Sequence, residues 1–291
     1  MTRMTATPTV RRALAAALLL TAQLVLADST RYGLDAEFTH DDNASRGLYS
    51  ADRKADNILA ADGFVVRSML LSERSGAVFR GGARYSQFFE FKDISNLALS
   101  ARAAYRYQIG SGFSSPWIEI TGEYQWLKHA DSALRDGSIV SIGANVGSHV
   151  TDRVRVSGGL GTDKRSGDST GVYELSTNRL WGTFDYRLGL RNTIYARLSR
   201  IAGDHVFNSG PVQGLSGVRA SDPAIASGLG IPLANAYRME ATTLLYELGL
   251  NYPLGRQAVD FALSRYTSKA DATGYSYDGN QFRASYLYRF Q

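Results

Sequence analysis

The sequence predicts an all-β protein: a closed antiparallel transmembrane β-barrel of about twelve strands, with short periplasmic turns and longer extracellular loops. Three observations lead to this prediction: an export leader, about twelve segments that alternate apolar and polar residues, and an aromatic-rich last segment, 280–291. Alternation with a period of two is typical of strands that have one apolar and one polar face. In a membrane barrel the apolar face contacts lipid and the polar face lines the lumen.

The N-terminus has the layout of a secretory signal peptide. Arg3, Arg11 and Arg12 precede an apolar run that ends at the small residue Ala27. We expect cleavage after Ala27, so that residues 1–27 are a signal peptide and residues 28–291 form one barrel domain. The apolar run is too short and too interrupted for a transmembrane helix, which needs about 20 apolar residues.

The mature chain carries little net charge. The full sequence has 32 Lys and Arg against 27 Asp and Glu, and loss of the three leader arginines lowers the formal charge from +5 to +2. A nucleic-acid-binding surface needs basic residues clustered in the mature protein, so we expect no nucleic-acid partner. The sequence has no cysteine, which excludes disulfides, thiol-bound metal and a lipid-anchored cysteine.

The predicted strands follow one another from residue 31 to residue 290. They are Arg31–His40, Leu59–Leu71, Ala77–Phe91, Leu97–Ile109, Trp117–Leu127, Ser138–Val150, Arg153–Thr162, Leu175–Leu188, Thr193–Ala202, Tyr237–Tyr252, Ala258–Ser268 and Tyr275–Phe290. The register of the second strand is ambiguous, because the run 64–66 breaks its alternation. Short connections alternate with longer polar ones, and we place the short ones in the periplasm and the longer ones outside the cell.

The connection 203–236 is unusually long and contains Pro211, Pro223 and Pro232. A connection of this length is either functional or mobile. Two interpretations stay open: a constriction loop folded into the barrel, and an outer cap that shields the rim. The acidic first loop, around 41–56, lacks the spacing of a calcium-binding loop, and we expect it to be a solvated surface loop.

Tight turns predict which inward-facing residues lie opposite each other, because neighbours equidistant from the turn centre form cross-strand pairs. Turns centred between positions 112 and 113, on position 191, and between positions 271 and 272 predict opposite-charge pairs. These are Arg106 with Glu119, Arg102 with Glu123, Asp185 with Arg197, and Asp260 with Arg283.

Further arginines also fall on the inward-facing side, which predicts a net positive lumen. They are Arg80, Arg84, Arg155, Arg179, Arg187 and Arg289, against the remaining acids Asp35, Glu37 and Glu247. Such a lining favours anions. The alternative is a salt-bridge lattice that fills a narrow barrel, since buried charges must be paired. The candidates for lumen or selectivity residues are Arg80, Arg84, Arg102, Arg106, Glu119, Glu123, Asp185, Arg197, Asp260 and Arg283.

The last predicted strand has a membrane-facing side formed by Phe282, Ala284, Tyr286, Tyr288 and Phe290. Its ending, Tyr286-x-Tyr288-x-Phe290, resembles the C-terminal assembly signal of Gram-negative outer-membrane β-barrels, and the whole mature chain resembles that class. The resemblance implies a place in the cell outer membrane, contact with outer-membrane lipid and lipopolysaccharide, and recognition by the barrel-assembly machinery through the C-terminal strand.

A narrower resemblance is to an uncharacterised proteobacterial barrel group. It rests on Asp41-Asp42-Asn43, Gly203-Asp204, Tyr237-Arg238 and the region 268–290. No activity is associated with that group, so it implies no site residues.

The predicted function is a narrow, porin-like channel for small solutes, with anions favoured. A structural barrel without transport and an outer-membrane hydrolase for lipid or peptide are the alternatives. His205 follows Asp204 and precedes Asn208 and Ser209, whereas Ser148 and His149 face opposite sides of a strand. We predict that the protein is not an enzyme, has no catalytic residues, binds no cofactor or metal, and is monomeric.

Overall fold

A computed structural model describes residues 29–167, 170–189, 191–212, 218–231, 233–271 and 274–290. The predicted signal peptide and Gln291 lie outside the described residues. No helix within these ranges is both long and apolar enough to cross a membrane.

Antiparallel strands account for most of the described chain. They are β1 (Ser29–Asp41), β2 (Asp56–Ser72), β3 (Ser75–Phe88), β4 (Asn96–Gln108), β5 (Trp117–His129), β6 (Gly137–His149), β7 (Val154–Ser166), β8 (Leu175–Leu188), β9 (Asn192–Ser209), β10 (Val218–Ser221), β11 (Asn235–Leu254), β12 (Gln257–Ala270) and β13 (Ser276–Phe290). The predicted strands correspond to all of these except the short β10.

Twelve of the strands close into a barrel. Each strand from β1 to β8 pairs with the next, β9 pairs with β11, β11 with β12 and β12 with β13, and β13 returns to pair with β1. The closing register sets Tyr32 against Phe290 and Thr39 against Arg283. The predicted closed barrel of twelve antiparallel strands is therefore confirmed, and the predicted closing strand does close it.

Apolar side chains cover the outer face of the barrel wall. Every barrel strand contributes at least one large exposed apolar residue, for example Leu34, Leu59, Tyr85, Tyr105, Ile120, Ile142, Leu160, Leu180, Leu198, Leu248, Leu263 and Tyr286. Soluble proteins rarely expose so large a continuous apolar surface. A closed barrel also leaves no unpaired strand edge, which is what lipid requires. The barrel is therefore built to lie in a membrane.

The closing strand presents the predicted membrane face. Phe282, Tyr286 and Phe290 are exposed on the outside, and the rings of Tyr288 and Phe290 stack edge to face with centroids 4.6 Å apart. Outer-membrane barrels carry aromatic girdles at the membrane interfaces. Phe290 lies at the strand end, where such a girdle is expected.

The connections differ in length at the two ends of the barrel. At the periplasmic end β11 and β12 are joined by only two residues, and Gly255 there takes a positive φ of 71° that suits glycine in a tight turn. At the extracellular end lie loop 1 (residues 42–55), loop 2 (89–95), loop 3 (130–136) and loop 4 (167 and 170–174). The longest connection, between β9 and β11, also lies at this end.

The longest connection is shorter than predicted, because β9 continues to Ser209 and β11 already begins at Asn235. It contains β10 and the helix α1 (Pro223–Leu229). Pro223 is at the start of the helix, where its missing N–H costs nothing, and Gly230 ends it with a positive φ of 69°. We call residues 204–212, 218–231 and 233–240 the cap.

Candidate functional site

Charged residues line the inner wall of the barrel. The inward-facing arginines are Arg31, Arg80, Arg84, Arg102, Arg106, Arg155, Arg165, Arg179, Arg187, Arg197, Arg283 and Arg289. The inward-facing carboxylates are Asp35, Glu37, Asp41, Asp56, Asp62, Glu119, Glu123, Asp163, Asp185, Glu247 and Asp260. All ten predicted lumen candidates are among them.

Two of these carboxylates are bound by extracellular loops. Asp41 forms an ion pair with Arg46 of loop 1 at 2.9 Å. Asp56 accepts hydrogen bonds from the backbone N–H groups of residues 89–91 at 2.9 to 3.0 Å. Arginines therefore outnumber the carboxylates that remain free to act in the lumen.

The hairpin of β4 and β5 has the predicted register. Arg106 lies opposite Glu119, and Arg102 lies opposite Glu123. Arg106 binds Glu119 at 2.6 Å. Arg102, however, turns towards the same Glu119, at 3.9 Å. Glu123 makes no hydrogen bond or ion pair with another described residue, so this hairpin leaves one carboxylate without a partner.

The other two predicted registers are wrong. Asp185 lies opposite Tyr195 and Asp260 lies opposite Ser285. In both hairpins the turn centre differs by one residue from the predicted one, which moves the cross-strand partner by two residues and leaves the side chain on the same face. Inward orientation is therefore unaffected, whereas the partners change.

The displaced residues form different ion pairs. Asp185 binds Arg155 of β7 at 2.6 Å. Arg283 reaches Asp260 diagonally at 3.6 Å and also contacts Glu247 at 3.4 Å. Glu247 in turn lies 3.9 Å from Arg197. This wall of the barrel therefore has a connected lattice of charges, in which the hydroxyl of Tyr195 also donates to Asp260 at 3.0 Å.

A second group of pairs lies where the barrel closes. Arg84 binds Glu37 at 2.6 Å, and Arg289 binds Asp35 at 2.5 Å. Arg80 forms an ion pair with Asp62. Arg289 of β13 is thus paired with a carboxylate of β1, and Arg80 and Arg84 also have carboxylate partners.

Six inward-facing charged residues were not predicted to face inward: Arg31, Asp41, Asp56, Asp62, Asp163 and Arg165. Asp62 belongs to the strand whose alternation is broken at 64–66. Asp163 and Arg165 were expected in a loop, but β7 continues to Ser166. Their stretch, Thr162-Asp163-Lys164-Arg165, has no apolar residue to mark an outer face. The described strands thus have twelve inward-facing arginines against eleven carboxylates, a smaller positive excess than the predicted ten against seven.

The cap covers the extracellular mouth. Its Asn208 exchanges backbone hydrogen bonds with loop 1, donating to Arg46 at 3.1 Å and accepting from Leu48 at 3.0 Å. Asn208 Nδ2 donates to the carbonyl of Ser45 at 2.7 Å. Loop 1 joins β1 to β2, on the far side of the barrel from β9. The connection between β9 and β11 therefore spans the mouth as a cap, rather than entering the lumen as a constriction loop.

Apolar packing supports the cap from below and from the sides. Phe207 and Tyr237 are buried against Leu48 of loop 1. Ile225 and Leu229 of α1 pack on Phe91 and Ile94 of loop 2. The mouth is thus closed by side chains from opposite parts of the rim.

A buried carboxylate joins the cap to loops 3 and 4. Asp222 accepts hydrogen bonds at 2.7 Å from Arg135 of loop 3 and from the hydroxyl of Tyr173 of loop 4. Its other oxygen caps α1 by accepting from the N–H of Ile225 at 3.3 Å. Asp222 is fully buried, and burial raises the pKa of Tyr173, which keeps that donor protonated. We call Asp222, Arg135 and Tyr173 the latch.

The acidic first loop is structural rather than solvated, which corrects the prediction. Asp41, Asn43 and Asp56 are all buried. Asp42 accepts hydrogen bonds from the backbone and side chain of Asn280, both at 2.8 Å. Among the described residues, no group of three or more His, Asp or Glu side chains could hold a metal ion.

The residues considered for hydrolysis have other roles. The ring of His205 bonds to the carbonyl of Gly203 at 2.9 Å. Ser209 is buried and donates to Asp52 at 2.6 Å. The His149 ring packs on Phe113, with centroids 4.9 Å apart. These contacts hold the loops and strand ends together, and they do not form a nucleophile and base pair.

An open cavity of about 510 Å³ remains inside the lumen next to β4–β8. Arg102, Glu123, Arg165, Arg179 and Trp181 are among the residues that line it. Arg102 and Glu123 were predicted from sequence. Trp181 was not predicted, because the predicted hairpin registers identify only pairs of opposite charge. Arg165 was not predicted, because the predicted strand ended at Thr162.

The solved structures that resemble this chain are membrane barrels. An outer membrane channel from Pseudomonas putida F1 aligns with a TM-score of 0.62 over 91% of this chain and 97% of that protein, at 11% identity. The fold is that of an outer-membrane barrel. With the apolar belt described above, it places the protein in the outer membrane of a Gram-negative cell.

Other outer-membrane barrels align less closely. CymD, a monoaromatic hydrocarbon channel, has a TM-score of 0.45 at 10% identity, covering 94% of this chain and 91% of that one. LpxR from Salmonella typhimurium has a TM-score of 0.39 at 11% identity, covering 88% and 99%. At such identities the likeness concerns the fold alone. No protein-family model matches the sequence, and no curated protein matches it.

Proposed function

We propose that the protein is a narrow, porin-like channel for small anionic solutes, closed at its extracellular mouth in this conformation. The observation that carries the proposal is the open lumenal cavity faced by Arg102, Arg165 and Arg179. A barrel built only for structure would pair its charges there, as Glu247 is paired with Arg197 and Arg283. Rings of arginine in a pore attract anions and repel cations.

The pairing of the arginines supports the same proposal. Arg102 has only a long contact, 3.9 Å, with a carboxylate that already binds Arg106. Arg187 and Arg165 form no ion pair with a described residue. An arginine that is not neutralised by a neighbour keeps most of its attraction for a passing anion, particularly where the lumen is narrow and water is limited.

Planar-bilayer recordings on the purified mature protein test the proposal. Because the cap closes the mouth, the wild type is compared with Asp222→Ala, which breaks the latch. We expect measurable conductance in at least the latch variant, and a reversal potential in a salt gradient that indicates anion preference. The preference should fall when Arg102→Ala and Arg106→Ala are added.

Lys164→Ala is the matched control, because Lys164 is a basic residue of β7 that faces outward. It should leave the ion preference unchanged. If neither the wild type nor Asp222→Ala conducts, although both remain folded, the channel proposal is wrong. The structural-barrel alternative would then stand, with the lattice around Glu247 and Arg283 as its main feature.

A further inference from the structure

One part of the lumenal wall consists of glycines, and an indole ring lies on it. Gly143 of β6 and Gly159 and Gly161 of β7 face the lumen below Trp181. A Cβ atom at these glycines would lie 3.6, 2.6 and 3.5 Å from Cη2, Cζ2 and Cζ3 of Trp181, respectively. Three neighbouring atoms of the six-membered ring thus lie over three glycines. The ring lies along the wall, and Trp181 is among the residues that line the cavity.

The polar groups around this ring have capacity for further bonds. Arg179 lies with its guanidinium carbon 5.4 Å from the Trp181 ring centroid and contacts Asp163 at 3.4 Å. Asn145 Oδ1 and Arg165 Nε are buried and have no hydrogen-bond partner in the described part of the chain. Buried polar atoms without partners are uncommon and require an explanation. Of nine such atoms in the described part of the chain, these two belong to residues that line the cavity.

Glu123 adds an acceptor to the same cavity. It makes no bond with another described residue, although Arg102 lies opposite it in the register. The lining also includes the hydroxyl groups of Ser141 and Thr177. A cavity of about 510 Å³ falls within the range of about 300–1,000 Å³ that is usual for small-molecule sites.

We infer that this cavity binds a small acidic sugar, a hexuronate or a short oligomer of one. An arginine binds a carboxylate through two parallel hydrogen bonds, which Arg102 or Arg165 could supply. The apolar C–H face of the sugar ring would lie on Trp181. Glu123 and Asn145 would accept hydrogen bonds from the sugar hydroxyl groups, which chloride, nitrate and sulfate cannot donate.

Benzoate, an unsubstituted aromatic carboxylate, would satisfy the arginines and the indole ring but not Glu123. Its ring carries no hydroxyl groups, so that Glu123 would lose water on binding and gain nothing in return. A neutral sugar would satisfy Trp181 and Glu123 but leave the arginines without an anion. The combination of all three partners therefore selects a sugar that also carries a carboxylate.

Tryptophan fluorescence of the detergent-solubilised mature protein measures the binding directly. The sequence has three tryptophans, so the Trp117→Phe, Trp126→Phe variant reports on Trp181 alone. The probes are D-galacturonate, D-galactose and benzoate. We expect a saturable change with galacturonate and affinities about tenfold weaker or worse for galactose and benzoate, since one charge-assisted hydrogen bond contributes that much.

Substitutions in the cavity and on the opposite wall separate this site from general electrostatics. Glu123→Gln and Trp181→Leu, the latter followed by calorimetry, should each weaken galacturonate binding about tenfold. Glu37→Gln is the matched control, an inward carboxylate of β1 that does not line the cavity, and it should bind as the wild type does. Equal binding of benzoate and galacturonate, equal losses in Glu37→Gln, or no binding of any probe would overturn the inference.

The inference rests on the proposed function only in requiring that solutes reach the lumen. Binding in detergent does not depend on conduction, so the two can fail separately. A barrel that conducts anions but does not bind galacturonate contradicts the sugar site alone. A barrel that binds galacturonate but never conducts, even without the latch, contradicts the channel and leaves a lumenal receptor site.

Discussion

The cap and the cavity wall differ in how their carboxylates are paired. In the cap, Asp222, Asn208 and Ser209 are buried. Asp222 bonds to loops 3 and 4, and Asn208 and Ser209 both bond to loop 1. Along the cavity, Glu123 has no partner among the described residues and Arg102 has only a contact of 3.9 Å. A carboxylate that holds a structure together is paired by it, whereas a carboxylate that serves a ligand is left available. The difference indicates that the cap keeps the mouth closed and the cavity receives a solute.

Removal of the latch carboxylate, Asp222, should have the largest effect, because the cap then no longer holds the mouth closed. Asp222→Ala leaves Arg135 and Tyr173 without their acceptor and removes the N-cap of α1. Breaking a buried ion pair costs about 3–5 kcal/mol, and loss of a helix cap about 1 kcal/mol. We expect the cap to open, which single-channel recordings would detect as a rise in conductance.

The control for the latch is Asp131→Asn, because Asp131 is an exposed residue of loop 3, close to Arg135 in the chain. It should conduct as the wild type does. If Asp222→Ala keeps the wild-type conductance while limited proteolysis shows the cap to be loosened, the cap does not control the pore.

We call Gly143, Gly159 and Gly161, on which Trp181 lies, the glycine floor. Adding a side chain there should have the next largest effect. A Cβ at Gly159 would lie 2.6 Å from Trp181 Cζ2 and 2.5 Å from the carbonyl oxygen of Ala144. Gly159→Ala should therefore displace the ring and lower stability by about 1–3 kcal/mol, as overpacking usually does. Urea unfolding and the Trp181 emission maximum measure the two effects.

Gly122→Ala is the matched control for the glycine floor. Gly122 is on the outer face of β5, and a Cβ there would meet nothing within 4 Å. Its stability and emission should stay close to the wild type. A Gly159→Ala variant with unchanged emission would mean that Trp181 can move without loss, and that the floor does not position it.

Removing a lattice charge should cost more stability than removing a cavity charge. Arg283→Gln leaves Glu247 and Asp260 facing each other with less compensation. Because Arg283 is about one-third exposed, solvent screening limits the loss to about 1 kcal/mol. Glu123→Gln should change the unfolding free energy by less than about 0.5 kcal/mol. Equal losses of unfolding free energy in the two variants would show that Glu123 belongs to the connected lattice of charges.

Most of the fold could be predicted from the sequence, because lipid on one side and water on the other enforce a period of two along every strand. The side of the barrel wall that each residue faces was therefore predicted well, whereas the cross-strand partners were predicted less well. The β4–β5 hairpin had the predicted register, but Asp185 and Asp260 each met a partner two residues away. A turn can shift by one residue without exposing any side chain to the wrong solvent, so the alternation alone cannot locate its centre.

The cavity and the latch were harder to predict, since they depend on contacts between distant elements. Trp181 lies on glycines of β6 and β7, and nothing in the local pattern of β8 marks it as different from other inward residues. Asp222 follows a segment of small and polar residues, and its partners are about 50 and 87 residues away in the chain. The second interpretation of the long connection, an outer cap, required only its length and composition, but its attachment to four loops did not follow from them.

The smallest predicted effect concerns the hydroxyl of Tyr173. Tyr173→Phe removes one donor to Asp222 and leaves Arg135 and the Ile225 N–H in place. The loss of one hydrogen bond of this kind costs about 1 kcal/mol, which changes the closed-to-open equilibrium roughly fivefold. Conductance should therefore rise, but less than in Asp222→Ala.

Burial raises the pKa of Tyr173 above the usual value of about 10. The contribution of its hydroxyl is therefore complete below about pH 10 and is lost only as the pH rises through the raised value. The difference between wild type and Tyr173→Phe should consequently be constant from about pH 6 to about pH 9. A difference that disappears within that range would mean that Tyr173 is exposed to solvent in the working protein, and that the latch is open more often than it is closed.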